Sequence, residues 1–378
     1  MLNPVMPLTY PFLLLNKEKC LENIERMISK AKKNNLKFRP HFKTHQSAEI
    51  GNWFKQSGVD ACTVASFPMA EYFASAGWTD ITVAFPVSTF DSATINQLGK
   101  SINLNIISSS YKNLIAINGS ISCKVGIYIE LDCGHNRSGI SPDNTREIAL
   151  MINIVEQNEF YQFKGFLTHA GHTYSAKSVD EVKAIHHKTL KILTQLKSFW
   201  KDSYPEISIS YGDTPSCAIS ENFWGIDEIR PGNFVFYDLT QASIGSCSID
   251  NIAVALICPV IDIYPERGEA IIRGGAVHLS KDSITQPDQN KSFGLVCPFN
   301  GEFWEKSYDG LWLKSISQEH GVIAANDTEL INNLKPGQLV AILPVHSCLT
   351  LDTMGELYLA DGTCISTMRK RIQAVTGC

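Results

Sequence analysis

The chain lacks an excess of basic charge, any membrane-length apolar run and any regular spacing of cysteines. Its formal net charge of -5 offers no positive field that would attract nucleic acid or an anionic membrane. Its 11 cysteines are scattered, and an odd number leaves one unpaired in any complete disulfide scheme, which is typical of a reducing compartment. Residues 1–10 show no basic segment followed by an apolar one. These absences predict a soluble cytoplasmic protein with a small-molecule ligand.

The composition supports a large core, since 44% of the 378 residues are hydrophobic. A chain of this length favours two domains over one. Up to about Tyr237, short apolar runs alternate with amphipathic segments, the pattern of repeated βα units. The predicted strands are Phe12–Asn16, Leu36–Phe42, Ala61–Ser66, Ile81–Phe85, Leu104–Ile107, Val125–Leu131, Phe163–His169, Ile207–Tyr211 and Phe234–Tyr237. Amphipathic helical spacing is found around residues 21–31, 48–56, 71–76, 145–155 and 182–199.

Eight or so βα units in about 230 residues favour a closed (β/α)₈ barrel over an open doubly wound sheet. After about Thr240 the pattern changes to strands and turns. The later predicted strands are Ile252–Ile263, Ala270–Arg273, Leu311–Ile316, Leu339–Ile342 and Glu356–Ala360. We therefore predict an α/β chain with a TIM-type (β/α)₈ barrel over residues 10–240. A mostly antiparallel β domain over residues 241–378 follows, with residues 1–9 packing against it.

Two cations and two histidines are concentrated near the end of the second predicted strand, in Arg39-Pro40-His41-Phe42-Lys43-Thr44-His45. The carboxyl ends of barrel strands face the active site. A lysine in such a place can be partly desolvated and crowded by other cations, which favours the neutral amine that forms a Schiff base. Lys43 is therefore a candidate, although spacing alone favours the alternative of a solvated basic loop.

Two further motifs follow predicted strands. The segment Asp132-Cys133-Gly134-His135-Asn136-Arg137-Ser138-Gly139 contains a glycine-flanked arginine, Arg137, that could reach a phenolate or carboxylate; an ordinary turn is the alternative. The segment Thr168-His169-Ala170-Gly171-His172-Thr173-Tyr174 places small residues beside two imidazoles, where a flat ligand could lie. Either histidine could instead be a core residue.

Two turns near the last predicted barrel strands look suited to an anion. They are Tyr211-Gly212-Asp213-Thr214-Pro215-Ser216 and Arg230-Pro231-Gly232-Asn233. Loops at this position commonly hold phosphate through backbone N–H groups and hydroxyls. Each turn is a weak signal alone, and their shared position strengthens it.

In the predicted β domain, Pro344-Val345-His346-Ser347-Cys348-Leu349 places an imidazole and a thiol two residues apart. In an extended segment such residues share a face, so both could bind one soft or borderline ion such as zinc. Two protein ligands would leave positions for water or substrate, as in a Lewis-acid site. Two buried residues without a metal are the alternative.

Taken together and in this order, the motifs resemble the family of D-serine dehydratase and D-threonine aldolase, whose barrel is like that of alanine racemase. The resemblance spans nearly the whole chain, from Leu13-Leu14-Leu15 to His346-Ser347-Cys348. It implies that Lys43 carries pyridoxal 5'-phosphate, that Arg137 approaches its phenolic oxygen and that His169 stacks on its ring.

The same resemblance assigns further residues. Tyr174 and His172 belong to the family's Gly-His-x-Tyr segment, and Arg230 resembles the racemase arginine beside the pyridine nitrogen. The implied catalytic residues are Lys43, His169, Arg137 and Tyr174. The implied phosphate contacts are Gly212, Thr214, Gly232 and Asn233. Gln46 departs from the family, where many relatives have lysine.

Family dehydratases use His-x-Cys with zinc, whereas the aldolases typically have His-x-Asp. His346 and Cys348 therefore imply a divalent metal, zinc or alternatively manganese, and favour dehydration of D-serine or a D-threonine-like substrate to a 2-oxo acid and ammonia. An aldolase giving glycine and an aldehyde is the alternative; a racemase or a non-catalytic cofactor-binding protein ranks below it. The resemblance also implies a homodimer.

Overall fold

The structure is a computed structural model that describes residues 9–286, 289–305 and 310–369. The chain divides into two compact units. One, here called the barrel unit, comprises residues 25–232, and the other, the β unit, comprises the residues up to 24 and from 233 onward. Of residues 1–9, which were predicted to pack with the β domain, residues 1–8 lie outside the described part. No helix within the described ranges has both the length and the apolar composition needed to cross a bilayer.

The elements are numbered along the chain. The strands are β1 (Phe12–Leu15), β2 (Lys37–Phe38), β3 (Cys62–Val64), β4 (Asp80–Pro86), β5 (Asn103–Ser108), β6 (Val125–Leu131), β7 (Tyr161–His169), β8 (Ser208–Gly212), β9 (Glu228–Ile229), β10 (Val254–Tyr264), β11 (Glu269–Arg273), β12 (Ile284–Thr285), β13 (Lys291–Ser292), β14 (Gly294–Pro298), β15 (Leu311–Ile316), β16 (His320–Ala325), β17 (Leu339–Pro344), β18 (Glu356–Tyr358) and β19 (Cys364–Ser366). The α-helices are α1 (Lys17–Lys33), α2 (Ala48–Gln56), α3 (Phe67–Ser75), α4 (Ser92–Leu98), α5 (Tyr111–Ile117), α6 (Thr145–Gln157), α7 (Val179–Trp200), α8 (Thr214–Ile219), α9 (Leu239–Ile244), α10 (Thr328–Asn332) and α11 (Ser347–Met354).

The barrel unit is built on a parallel sheet with the strand order β2-β9-β8-β7-β6-β5-β4-β3. Its two ends meet where Phe42 N donates to Thr63 O (2.8 Å) and Thr63 N donates to Pro40 O (2.9 Å). These bonds flank a parallel bridge between His41 and Thr63, which closes the ring. The predicted eight-stranded barrel is confirmed.

Helix α6 shows why the amphipathic segments cover this barrel. The side chain of Asn144 caps the helix by accepting from Glu147 N. The side chains it buries are Ile148, Met151, Ile152 and Val155. Their spacing of three and four residues forms one apolar stripe, so the helix can bury that stripe while its polar face stays in water.

The β unit contains a closed antiparallel barrel. Six strands follow the order β11-β16-β15-β14-β17-β10, and β10 pairs again with β11 to complete the ring. Strands β1, β18 and β19 extend the sheet beyond β10. The predicted antiparallel β domain is therefore confirmed, with β12, β13, β14, β16 and β19 added to the predicted strands; β12 and β13 form a separate two-stranded sheet.

Two predicted barrel strands lie elsewhere or are absent. Strand β1 pairs antiparallel with β10, through Phe12 and Ile257, and parallel with β18, so it belongs to the β unit. All four β1 residues are buried, and a short apolar run does not encode which sheet it joins. The predicted strand Phe234–Tyr237 is wrong, because Asn233–Val235 is a 3₁₀ turn and Tyr237 has a positive φ of 52°.

Candidate active site

A cluster of cationic and imidazole side chains lies at the carboxyl ends of the barrel strands, around His41. Burial, together with the charges of Lys43, Arg230, His169 and Arg137, lowers the pKa of His41 well below its usual value. Four of the predicted residues of the barrel unit therefore lie near His41. A concentration of positive charge around one position is suited to an anionic ligand.

Lys43 follows β2 in a turn, where its backbone N–H donates to His41 Nδ1 (3.3 Å). Its side chain is exposed, as is that of Arg137. The partial desolvation expected for this lysine is therefore not seen, although Lys43, Arg137 and Arg230 all act on the same histidine, His41. An exposed amine at a barrel mouth is accessible to an incoming aldehyde.

His169 is the last residue of β7 and is held by the end of β8. Its Nδ1 lies 2.7 Å from the carbonyl oxygen of Gly212. Because a carbonyl only accepts, Nδ1 donates, and Nε2 is left as an acceptor. Burial and the charge of Arg137 lower the pKa of His169 to about 3, so the ring is neutral at neutral pH. A neutral, fixed ring is suited to stacking against an aromatic ligand.

The turn after β8 joins the two motifs predicted to bind cofactor. Asp213 caps α8 by accepting from Ser216 N (2.6 Å), and its Oδ1 also accepts from Thr173 Oγ1 (2.9 Å). The hydroxyl of Tyr174 accepts from Thr214 N (3.2 Å). Tyr174 therefore already occupies a backbone N–H that was predicted to bind phosphate.

The side chain of Thr214 fits a phosphate better than its backbone does. Its Oγ1 is buried and has no hydrogen-bond partner. A buried hydroxyl of this kind is costly unless something binds it, and a phosphate oxygen would satisfy it. This orphaned hydroxyl and the cations around His41 both fit the phosphate group of pyridoxal phosphate.

Arg230 and Gly232 follow β9 in the barrel unit. Arg230 is buried, and it donates from Nε to Ser210 Oγ (2.7 Å) and from Nη2 to Thr168 O (2.7 Å). A Cβ on Gly232 would lie 2.8 Å from His41 O, so only glycine allows this close approach. Thus the second predicted anion turn packs directly against the segment that carries Lys43.

The imidazole and thiol of the β unit also meet. Burial lowers the pKa of His346. The hydrogen bond and the charge interaction with Cys348, together with the charge of Asp238, outweigh burial and raise this pKa to about 9. The extended segment predicted here is wrong for Cys348. His346 is an extended residue that caps α11, and Cys348 lies in the first turn of that helix. The cap and the first turn bring the two donors together.

Three acidic or amide side chains lie around this pair, and their place there was not predicted from the sequence. Asp282 Oδ2 lies 2.7 Å from His346 Nδ1, and Asp238 Oδ2 accepts from Ser347 N (3.1 Å). Asn233, predicted as a phosphate contact, donates from Nδ2 to Asp238 (2.6 Å) and lies 3.5 Å from Cys348 Sγ. No spacing signal marks Asp282, because it lies 64 residues before His346.

The donor set suits a metal with open positions. In the described ranges no three or more His, Cys, Asp and Glu side chains are arranged to hold an ion, so His346 and Cys348 stand as a pair. An imidazole and a thiolate are ligands that zinc prefers. With only two protein ligands, the remaining positions would fall to water or substrate, as in catalytic sites.

Two family models together match most of the chain. The model described as "Alanine racemase, N-terminal domain" matches residues 15–239, and the model described as "Putative serine dehydratase domain" matches residues 253–360. The chain belongs to the alanine racemase N-terminal domain family. The match over residues 253–360 adds the dehydratase-type second domain, as the sequence motifs predicted.

Curated relatives cover nearly the whole chain. It is 28% identical over 373 residues to the D-serine dehydratase of Dictyostelium discoideum, with 90% of each chain covered. It is 27% identical over 360 residues to the D-threo-3-hydroxyaspartate dehydratase of Delftia sp. strain HT23, with 93% of each covered. Together with the family match, these relatives show that the chain is an enzyme of the pyridoxal-phosphate-dependent lyases.

Solved structures agree with this assignment. A cysteine-to-alanine mutant of D-threo-3-hydroxyaspartate dehydratase in the metal-free form has a TM-score of 0.87, 25% identity and coverage of 97% of this chain and 99% of its own. The D-threonine aldolase of Filomicrobium marinum has a TM-score of 0.80 at 20% identity, with 97% and 98% covered, and shows the fold alone.

Proposed function

We propose that this enzyme is a metal-assisted dehydratase of small D-β-hydroxy amino acids, with D-serine as its substrate and pyruvate and ammonia as products. The observation that carries the proposal is the contact between His346 and Cys348, which offers a thiolate where the aldolases typically have a carboxylate oxygen. The dehydratase relatives described above support the same reaction.

The barrel unit contributes the groups for proton removal. Pyridoxal phosphate, when bound there, supplies an electron sink for the charge left at Cα. We infer that Lys43 Nζ holds the cofactor and then accepts the α-proton as general base, a role worth roughly 10²–10⁴-fold in rate. Thr214 Oγ1 would bind the phosphate, and the neutral His169 ring would lie against the pyridine. Arg137 would approach the phenolic oxygen and Arg230 the pyridine nitrogen.

The β unit contributes the leaving-group activation. His346 and Cys348 would hold zinc, or alternatively manganese, and a divalent ion there supplies a Lewis acid for the β-hydroxyl. Loss of the α-proton and the hydroxyl amounts to loss of water, and the resulting enamine hydrolyses to a 2-oxo acid and ammonia. The predicted homodimer and the cytoplasmic location stay predictions.

A second candidate is an aldolase that breaks the Cα–Cβ bond and releases glycine, which the fold shared with D-threonine aldolase supports. Supplying D-serine, D-threonine and D-threo-3-hydroxyaspartate separately, and assaying 2-oxo acid against glycine, distinguishes the two. We expect pyruvate from D-serine. Glycine from D-threonine, with no 2-oxo acid from any of the three, would contradict the dehydratase proposal.

The role of Lys43 has a direct spectroscopic test. Lys43→Ala should abolish the absorbance band of the covalently bound cofactor and lower kcat by at least about 10²-fold. Lys32→Ala is the matched control, because Lys32 is an exposed lysine on α1 in the same unit. A Lys43→Ala protein that kept the band would show that another amine carries the cofactor.

A further inference from the structure

We propose that Asp282 is a positioning residue of the metal site, whose carboxylate holds Nδ1 of His346 so that Nε2 is the nitrogen offered to the metal. The inference rests on the metal of the proposed function and adds the residue that orients its imidazole ligand. Asp282 lies just before β12, and no sequence motif links it to α11.

The contact is direct, and both partners are held in place. Asp282 Oδ2 lies 2.7 Å from His346 Nδ1. Asp282 N donates to Ser280 Oγ (3.2 Å), and Ser280 Oγ donates to Asp282 Oδ2 (3.1 Å). The carbonyl of His346 accepts from Thr350 N (3.1 Å) and from Thr350 Oγ1 (3.0 Å). The Asp282 carboxylate and the backbone of His346 therefore each have a hydrogen-bond partner besides the contact between them.

The thiol has an orienting partner of its own. Asn233 Nδ2 lies 3.5 Å from Cys348 Sγ and also donates to Asp238 Oδ2 (2.6 Å). Asn233 and Asp238 are both buried, and Asp238 further accepts from Ser347 N. Each of the two metal donors thus has an outer hydrogen-bond partner, as the ligands of metal sites in proteins usually do.

The chemistry of a carboxylate decides which ring nitrogen is free. An ionised carboxylate only accepts, so His346 Nδ1 must carry the hydrogen in this contact. The lone pair of the neutral ring is then on Nε2, which becomes the ligand atom, and the hydrogen-bonded carboxylate makes that nitrogen more basic. Without Asp282 both nitrogens compete for the ion and for the hydrogen.

The first test measures metal affinity rather than activity. The full-length, pyridoxal-phosphate-loaded protein is stripped of metal, and Zn²⁺ is titrated in competition with a chromophoric chelator. We expect Asp282→Ala to weaken zinc binding about 10–100-fold. Asp282→Asn should lose less zinc affinity than Asp282→Ala, because the amide oxygen can still accept from His346 Nδ1. Asp262→Asn, at an exposed aspartate of the same unit, is the control and should bind zinc like the wild type.

The second test identifies the ligand atom. In zinc-loaded protein labelled with ¹⁵N-histidine, long-range ¹H–¹⁵N spectra should show His346 metal-bound through Nε2 with a hydrogen on Nδ1, and Asp282→Ala should lose this single form. Zinc bound at Nδ1 in the wild type, or unchanged affinity in Asp282→Ala, would overturn the proposal. If the wild type takes up no zinc, both the role of Asp282 and the metal part of the proposed function are overturned. The pyridoxal-phosphate part is tested separately by the absorbance band of the cofactor bound to Lys43.

Discussion

His169 Nδ1 lies 2.7 Å from the carbonyl oxygen of Gly212, and the two residues are also register partners at the carboxyl ends of β7 and β8. A side chain therefore joins the ends of two neighbouring barrel strands. The same bond fixes which nitrogen of His169 carries its hydrogen, so the ring plane is set before any ligand arrives.

His169→Ala should weaken binding of pyridoxal phosphate about 2–10-fold, since an aromatic stacking contact contributes about 0.5–1.5 kcal/mol. Because burial and Arg137 keep the pKa of His169 at about 3, this loss should be the same at any pH from about 5 to 9. Fluorescence titration of the cofactor measures it. His187→Ala, at an exposed histidine of α7, is the control; a loss that grows at low pH would contradict a neutral ring.

Thr214→Val should weaken binding of pyridoxal phosphate about tenfold, because a hydrogen bond to a charged group contributes about 1.5 kcal/mol. Binding of pyridoxal, which has no phosphate, should not change. The free protein should be equally or more stable to urea, since the substitution removes a buried hydroxyl that has no partner. Equal losses for both ligands would show that Thr214 does not contact the phosphate.

Asp213 should make stability depend on pH. Burial raises the pKa of this carboxyl from 3.8 to about 6, so between these values the folded state binds more protons than the unfolded state. The free energy of unfolding of the wild type, relative to Asp213→Asn, should therefore fall by up to about 3 kcal/mol as the pH rises from about 3 to about 7. Denaturant unfolding at several pH values measures this difference, which should be flat above about pH 7. A difference that rises with pH would mean that the carboxyl is stabilised in its charged form.

Arg39→Ala should lower the free energy of unfolding by about 3–5 kcal/mol, because it leaves buried Glu228 without its cation. Arg39 Nε lies 2.6 Å from Glu228, and Nη1 lies 2.6 Å from Asp80. Asp80 is the first residue of β4 and Glu228 is the first residue of β9, so the lost stability should come from the barrel sheet. Urea unfolding measures it, with exposed Arg26→Ala as the matched control. Equal stability of the two variants would contradict the ion network.

Local patterns were sufficient for the regular parts of the fold. The run Val125–Leu131, which is buried throughout, is strand β6 with the predicted bounds, and Leu311–Ile316 is β15. Both runs are rich in apolar and aromatic residues, and such a run can be recognised without knowing its partners. Strand β9 was missed, since its two residues include Glu228, whose charge is neutralised by a distant arginine. A buried ion pair looks polar in sequence and is part of the core in space.

The candidate site also contains residues that local motifs predicted and residues that they did not. Lys43, Arg137 and His169 were marked by dense motifs at strand ends, and strands of one parallel sheet bring such ends together. Asp282 and the role of Asn233 were not accessible, because their partners lie 64 and 115 residues away along the chain.

The amino-acid sequence by itself determined the order of the βα units, the cationic segment around Lys43 and the adjacent imidazole and thiol of His346 and Cys348. These follow from periodicity and local spacing, which need no partner. Only the tertiary structure decided that β1 joins the antiparallel sheet, that Tyr174 takes the Thr214 amide and that Asp282 holds His346. Hydrogen bonds between distant segments depend on where the chain returns, and that is set by packing of the whole core rather than by any local pattern.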